Sequence, residues 1–149
     1  GLGLDSSGGV EKKLTAQFAE SGKPIEALET IESQLGYFDR LPEAQQRKML
    51  TSVIEESSDS RQAFEQLFNA WMTGDLDQIV TLTDTGILID PKTREYLLVI
   101  RNQDWAEQLD KRLQKPGTSF VAVGAAHLAG ADAVQDMLAK RGYKIEKIQ

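Results

Sequence analysis

One histidine, one early glutamate and one arginine carry most of the chemistry this sequence offers. His127 is the only histidine, set in Gly124-Ala-Ala-His127-Leu-Ala-Gly130. It follows an apolar run and precedes a helical pattern. A neutral imidazole there can ligate a metal or pass a proton, depending on what orients its other nitrogen; it can equally be a packed side chain. Gly124 and Gly130 let the backbone turn sharply or approach a ligand closely. Glu29 holds the matching place after Pro24-Ile-Glu-Ala-Leu28, which reads as a short strand. If strands at 24–28 and 119–123 run parallel, Glu29 and His127 emerge on one rim. A carboxylate beside an imidazole is the minimum of a hard-metal or acid–base site. Glu29 reads at least as well as a first-turn acid favoured by the helix dipole. Arg101 precedes Trp105 by four residues on one helix face. Its guanidinium either lies against the indole or points at a carboxylate, that of Glu29 or of a substrate.

Helices and strands must position these groups. The opening nine residues read as a loop, followed by a helix from Val10 to Ser21 that Gly22 stops. Thr30 suits an N-cap for a short helix through Tyr37. From Pro42 to about Leu82 the apolar spacing is helical. Met49, Leu50, Val53 and Ile54 form one stripe, and Phe64, Leu67, Phe68 and Trp71 a second that fits a core face. Asp59 with Gln62, and Asp75 with Gln78, resemble caps. Asp90-Pro91 starts a long helix to about Gln114, which Lys115-Pro116-Gly117 stops. Thr118 to Gly124 is the strongest strand pattern, a continuous apolar run expected to be buried on both faces. A helix at roughly 131–141 and a strand at 143–148 follow, and a helix joining two strands favours parallel pairing. The expected class is therefore α/β, mostly helical, with a small mixed or parallel sheet of at least three strands. Residues 42–115 form a large helical insertion, and the whole reads as part of a larger domain.

Composition excludes several classes. The 149 residues carry 17 Lys+Arg against 23 Asp+Glu, a formal net charge of −6, which argues against nucleic acid as a partner. With no cysteine there is no disulfide framework, thiolate zinc site or cysteine nucleophile. A single histidine cannot supply the two imidazoles of a complete zinc hydrolase site. No stretch approaches the ~20 apolar residues of a membrane span, and no GxSxG, HExxH, Walker loop or GxGxxG is present. The chain begins at Gly1 rather than Met and reads as a mature product or a piece of something longer.

Gly22-Lys-Pro through Leu28-Glu29-Thr30 with Gln34, then Arg101-Asn102-(x)2-Trp105, then Phe120-Val-Ala-Val-Gly124-Ala-Ala-His127-Leu-Ala-Gly130 resembles the TraB/GumN family, distantly related to the Tiki proteases. The resemblance runs from about Leu4 to Ile148 as a single domain lacking its N-terminal part. It includes Leu35-Gly-Tyr-Phe-Asp-Arg-Leu-Pro42 and Arg141-Gly-Tyr143. What it implies is the C-terminal part of a metal-dependent, peptidase-like hydrolase using Mn²⁺, Co²⁺ or Zn²⁺. In that reading His127 is a metal ligand, corresponding to the second of two GxxH motifs. Glu29 is a second ligand or general base, and Arg101 positions a carboxylate or oxyanion. Gln34, Asn102, Trp105, Gly124 and Gly130 support substrate or motif. The family's first GxxH and its following acidic motif have no counterpart here and are expected upstream of Gly1, so this chain alone is expected to bind metal weakly and catalyse little. Ser33 stands where an acidic residue is common. The substrate would be a peptide or small molecule, the location extracytoplasmic (bacterial periplasm or surface), and a homo-oligomer is expected if an apolar face lies open. The alternative is a non-catalytic exported binding or regulatory domain that recognises a peptide or carbohydrate.

Overall fold

The computed structural model describes residues 9–55, 60–84 and 87–148. The chain divides into two compact units, Gly1–Thr30 and Ile31–Gln149. In the first, α1 (Val10–Glu20) ends where expected. Gly22 takes φ 65°, and the N–H groups of Gly22 and Lys23 donate back to the carbonyls of Ala19 and Phe18 at 3.0 Å each. That pairing is the Schellman arrangement, and it needs a residue tolerant of positive φ at that place. The Lys23 ammonium lies over the Phe18 ring, 5.3 Å from its centroid.

The second unit is a succession of helices: α2 (Ile31–Asp39), α3 (Glu43–Glu55), α4 (Ser60–Thr73) and α5 (Leu76–Thr83) come first. After a 3₁₀ turn at Ile87–Ile89 come α6 (Pro91–Arg94), a π-helical stretch at Glu95–Val99 and α7 (Ile100–Leu113). A second 3₁₀ turn at Ala125–Leu128 and α8 (Val134–Ala139) complete the order. The caps expected at Asp75 and Asp90 form. The Asp75 carboxylate accepts from the Gln78 N–H at 3.0 Å, and that of Asp90 accepts from Lys92 and Thr93 at 3.1 and 3.0 Å. Asp90 is held below the ordinary 3.8, first by the Thr93 N–H and then by the Lys48 ammonium. The expected cap at Asp59 and the side chains of Val53 and Ile54 lie outside the described residues.

Helical backbone continues unbroken from α6 through the π stretch into α7. Thr93 and Leu98 are both buried, 2% and 3% exposed. Five residues apart on an α-helix they would point about 140° away from each other; the i→i+5 bonding of a π turn returns them to one side. From Leu98 onward Asn102, Trp105 and Leu109 follow at spacings of four, three and four, giving α7 a single buried face. Around it α7 packs on α8, while α4 packs on α5 and α5 on the second 3₁₀ turn. Ala70, Ile79 and Ala129 make the core there, with Leu76 and Val80 against them.

The expected sheet is overturned. Among the described residues no strand forms, and 24–28, 118–124 and 143–148 are neither helix nor ladder. The α/β class is corrected to a helical one. A strand exists only through hydrogen bonds to a neighbour, and β propensity records how well a side chain fits a half-buried pleated surface rather than a backbone preference. The apolar run at 120–123 has that composition, yet Phe120 is 63% and Val121 42% exposed. The core stripe expected on α4 is corrected too: Phe68 and Trp71 are 46% and 47% exposed, and Ala70 faces inward instead. Among the described residues no helix is long and apolar enough to cross a membrane.

Candidate functional site

The buried face of α7 grips His127. Gly124 caps the 3₁₀ turn that carries the histidine, and the His127 N–H donates to the Gly124 carbonyl at 2.9 Å. The turn drives the imidazole onto α7, leaving the residue 8% exposed. Its Nδ1 meets Asn102 Oδ1 at 2.6 Å, and its ring lies against Trp105, centroids 4.3 Å apart and planes tilted by 38°. Asn102 is fully buried. Its amide nitrogen donates to the Asp132 carbonyl at 2.7 Å and reaches the His127 carbonyl at 3.5 Å. One carboxamide thus fastens the turn at its ring and at the backbone five residues on.

Gly130 makes that fastening possible. It sits between the two anchored points with φ 79°, and an added Cβ would stand 3.4 Å from Arg94 Nη2 and 3.5 Å from Val80 Cγ2. The positive φ asks for glycine here, while those distances are ordinary van der Waals contacts. Gly124, in contrast, has an ordinary φ of −59°, and a Cβ there would likewise make a van der Waals contact, with the histidine ring at 3.7 Å. Behind Gly130, Arg94 bridges Asp84 at 2.7 Å and Asp132 at 3.5 Å, tying the loop after the histidine to the end of α5.

The Arg101 guanidinium lies over Trp105 at 5.1 Å and over Tyr37 at 5.8 Å from the ring centroids. It also donates to the Leu97 carbonyl at 3.1 Å. Of the two arrangements expected for Arg101, stacking on the indole is present. Tyr37 is buried near the end of α2 and its hydroxyl donates to Asp104 at 2.7 Å; Arg40 covers the same ring at 4.6 Å. At the other end of α7 the Tyr143 hydroxyl donates to Asp110 at 2.7 Å, and Arg141 approaches that carboxylate at 3.7 Å. The Tyr143 hydrogen bond is the largest influence holding Asp110 below its ordinary value, and the same bond raises the phenol above 10. The Leu35–Pro42 and Arg141–Tyr143 stretches thus serve one purpose, clamping α7.

The structure therefore brings together His127, Asn102, Trp105 and Arg101, with Gly124 and Gly130 bracketing the turn. Gln34 is exposed on α2. Glu29 belongs to the first unit, where it is half-buried in a bend before Thr30. The sheet rim expected to carry Glu29 and His127 does not form among the described residues. Sequence reading undervalued Asn102, although a signal was there: an asparagine in the apolar file Leu98, Trp105, Leu109 must find a buried partner. Asp132, which answers it through its carbonyl, gave no sequence signal.

Comparison with known proteins decides the family. The TraB/PrgY/gumN family model matches residues 1–147. This chain belongs to that family. It is similar to "Uncharacterized protein YbaP" of Escherichia coli (strain K12), 27% identical over 138 residues, which cover 92% of this chain and 50% of that protein. Metalloprotease TIKI2 of Danio rerio is 29% identical over 159 residues, covering 88% of this chain and 31% of that protein. The chain thus spans about half the length of its YbaP relative and less of TIKI2. No solved structure matches it. Among the described residues no three His, Asp or Glu side chains converge to hold a metal. These residues do not fit a complete metal centre.

Proposed function

We propose that this chain supplies one part of a metal-dependent, peptidase-like hydrolase site, with His127 as a nitrogen donor. The observation that carries this reading is the His127–Asn102 contact of 2.6 Å. It fixes the ring from its Nδ1 side, the way outer-shell partners orient metal-ligating histidines. Membership of a family that includes a metalloprotease relative supports it. Arg101, which lies over Trp105 at 5.1 Å, would orient a substrate carboxylate or oxyanion. The metal would be Mn²⁺, Co²⁺ or Zn²⁺ and the location extracytoplasmic.

A lone imidazole leaves most coordination positions to solvent, so the chain as it stands should bind metal weakly and catalyse little. Calorimetric titration of Mn²⁺, Co²⁺ and Zn²⁺ tests this. Weak binding abolished by His127→Ala is expected, and stoichiometric tight binding that survives the substitution overturns it. A second reading, a non-catalytic domain recognising peptide or carbohydrate, draws on the half-exposed Phe68 and Trp71 of α4. Quenching of Trp71 fluorescence by such a ligand, in a Trp105→Phe background, would favour it.

A further inference from the structure

We infer that Asn102 is a positioning residue that sets the tautomer of His127, placing the proton on Nδ1 and the lone pair of the neutral ring on Nε2. The backbone carbonyl of Asp132 can only accept, so the Asn102 atom 2.7 Å from it is the amide nitrogen. This settles which way the carboxamide is turned. Its oxygen then faces Nδ1 at 2.6 Å, and an amide oxygen has no proton to give. Nδ1 therefore donates.

Three further features hold the carboxamide and the ring in that arrangement. Asn102 is fully buried on a helix, so turning it over would set its amide nitrogen against Nδ1 and its oxygen against a carbonyl, at a desolvated site where unmade bonds are costly. Trp105 packs on the imidazole at 4.3 Å, which restricts rotation of the ring. Arg94 holds the Asp132 side chain at 3.5 Å, so the accepting carbonyl stays in place. A free histidine side chain favours the opposite tautomer, with its proton on Nε2; the protein works against that preference. The tautomer needs no metal, and only its use as a donor rests on the proposal above.

A single histidine makes the test clean, because one imidazole gives one set of ring signals. Long-range ¹H–¹⁵N spectra of the whole chain, at an alkaline pH that leaves the ring neutral, should show a pyrrole-type Nδ1 and a pyridine-type Nε2. The reverse pattern, or an averaged one, in the unsubstituted protein overturns the inference. Asn102→Asp keeps an acceptor oxygen and should keep the pattern. Trp105→Phe alters packing alone and should keep it too. Asn102→Ala should release the ring to a mixture rich in the Nε2–H form, and an unchanged pattern there contradicts the assignment. If Asn102→Ala fails to fold, the unsubstituted protein and Asn102→Asp still decide. Zinc titration separates the two proposals. With a donor role for His127, Asn102→Ala should weaken Zn²⁺ binding about 10–100-fold, whereas absence of binding in the unsubstituted chain removes the donor role and leaves the tautomer standing.

Discussion

Helices α4 and α7 each have 14 residues, one tryptophan and an apolar stripe, yet they end in opposite situations. On α7 Trp105 is 5% exposed and touches His127; on α4 Trp71 is 47% exposed beside Phe68, 6.1 Å away. The difference lies in what the rest of the chain brings to each. Around α7 converge Tyr37, the His127 turn, Arg141 and Tyr143, each through a hydrogen bond or ring contact, and α8 packs against it. The aromatic side of α4 keeps nearly half of two large rings in solvent. Apolar periodicity thus marks a face that can be buried, and only tertiary partners decide that it is.

The largest effect should come from setting the two tryptophans against each other. Trp105→Ala removes a buried ring and should cost about 3–5 kcal/mol in urea unfolding. Trp71→Ala should stay within about 1 kcal/mol, as for surface positions away from special features. Equal costs would break the contrast. The asparagines make a finer version of the same test. Asn102→Ala leaves a buried imidazole N–H and a carbonyl without their partner and should cost about 1–3 kcal/mol. Asn69→Ala on exposed α4 should change stability by less than about 0.5 kcal/mol.

How much of this was legible in the sequence depended on the range of the interaction. Local chemistry could be read directly. Asp90-Pro91 and Asp75 cap helices as their side-chain acceptors require, and Gly22 takes the positive φ that ends α1. The Arg101–Trp105 stack was legible as a spacing of four. What failed was non-local. Strand composition at 120–123 carried no information about a hydrogen-bonding neighbour, and the stripe of α4 none about a covering element. His127 was legible as a candidate through its place after the apolar run, but no sheet rim sets it. Its setting comes from the α7 face, whose phase is reset by the π turn at 95–99. Sequence periodicity taken at 3.6 residues across that turn misaligns Thr93 with Leu98.

A smaller effect tests the clamp at the end of α7. Asp110 is depressed by Tyr143, so its contribution is present above the ordinary aspartate value of 3.8 and is lost as pH falls through the lower folded value. Tyr143 is raised by the same bond, so its contribution is present below 10 and lost as pH climbs beyond. Tyr143→Phe should therefore lower the urea midpoint most near neutral pH, with the gap to the parent narrowing toward acid and alkali. A gap independent of pH would mean the bond does not matter. At the α5 cap, Asp75→Ala should cost about 1 kcal/mol without touching the α7 clamp.

Most directly at stake is whether His127 and Asn102 act as one unit, and a double-mutant cycle measures it. Unfolding free energies of the parent, Asn102→Ala, His127→Ala and the double substitution should give a coupling of about 0.5–3 kcal/mol, the range for residues in contact. Additivity within about 0.3 kcal/mol, the behaviour of distant independent sites, would contradict the account.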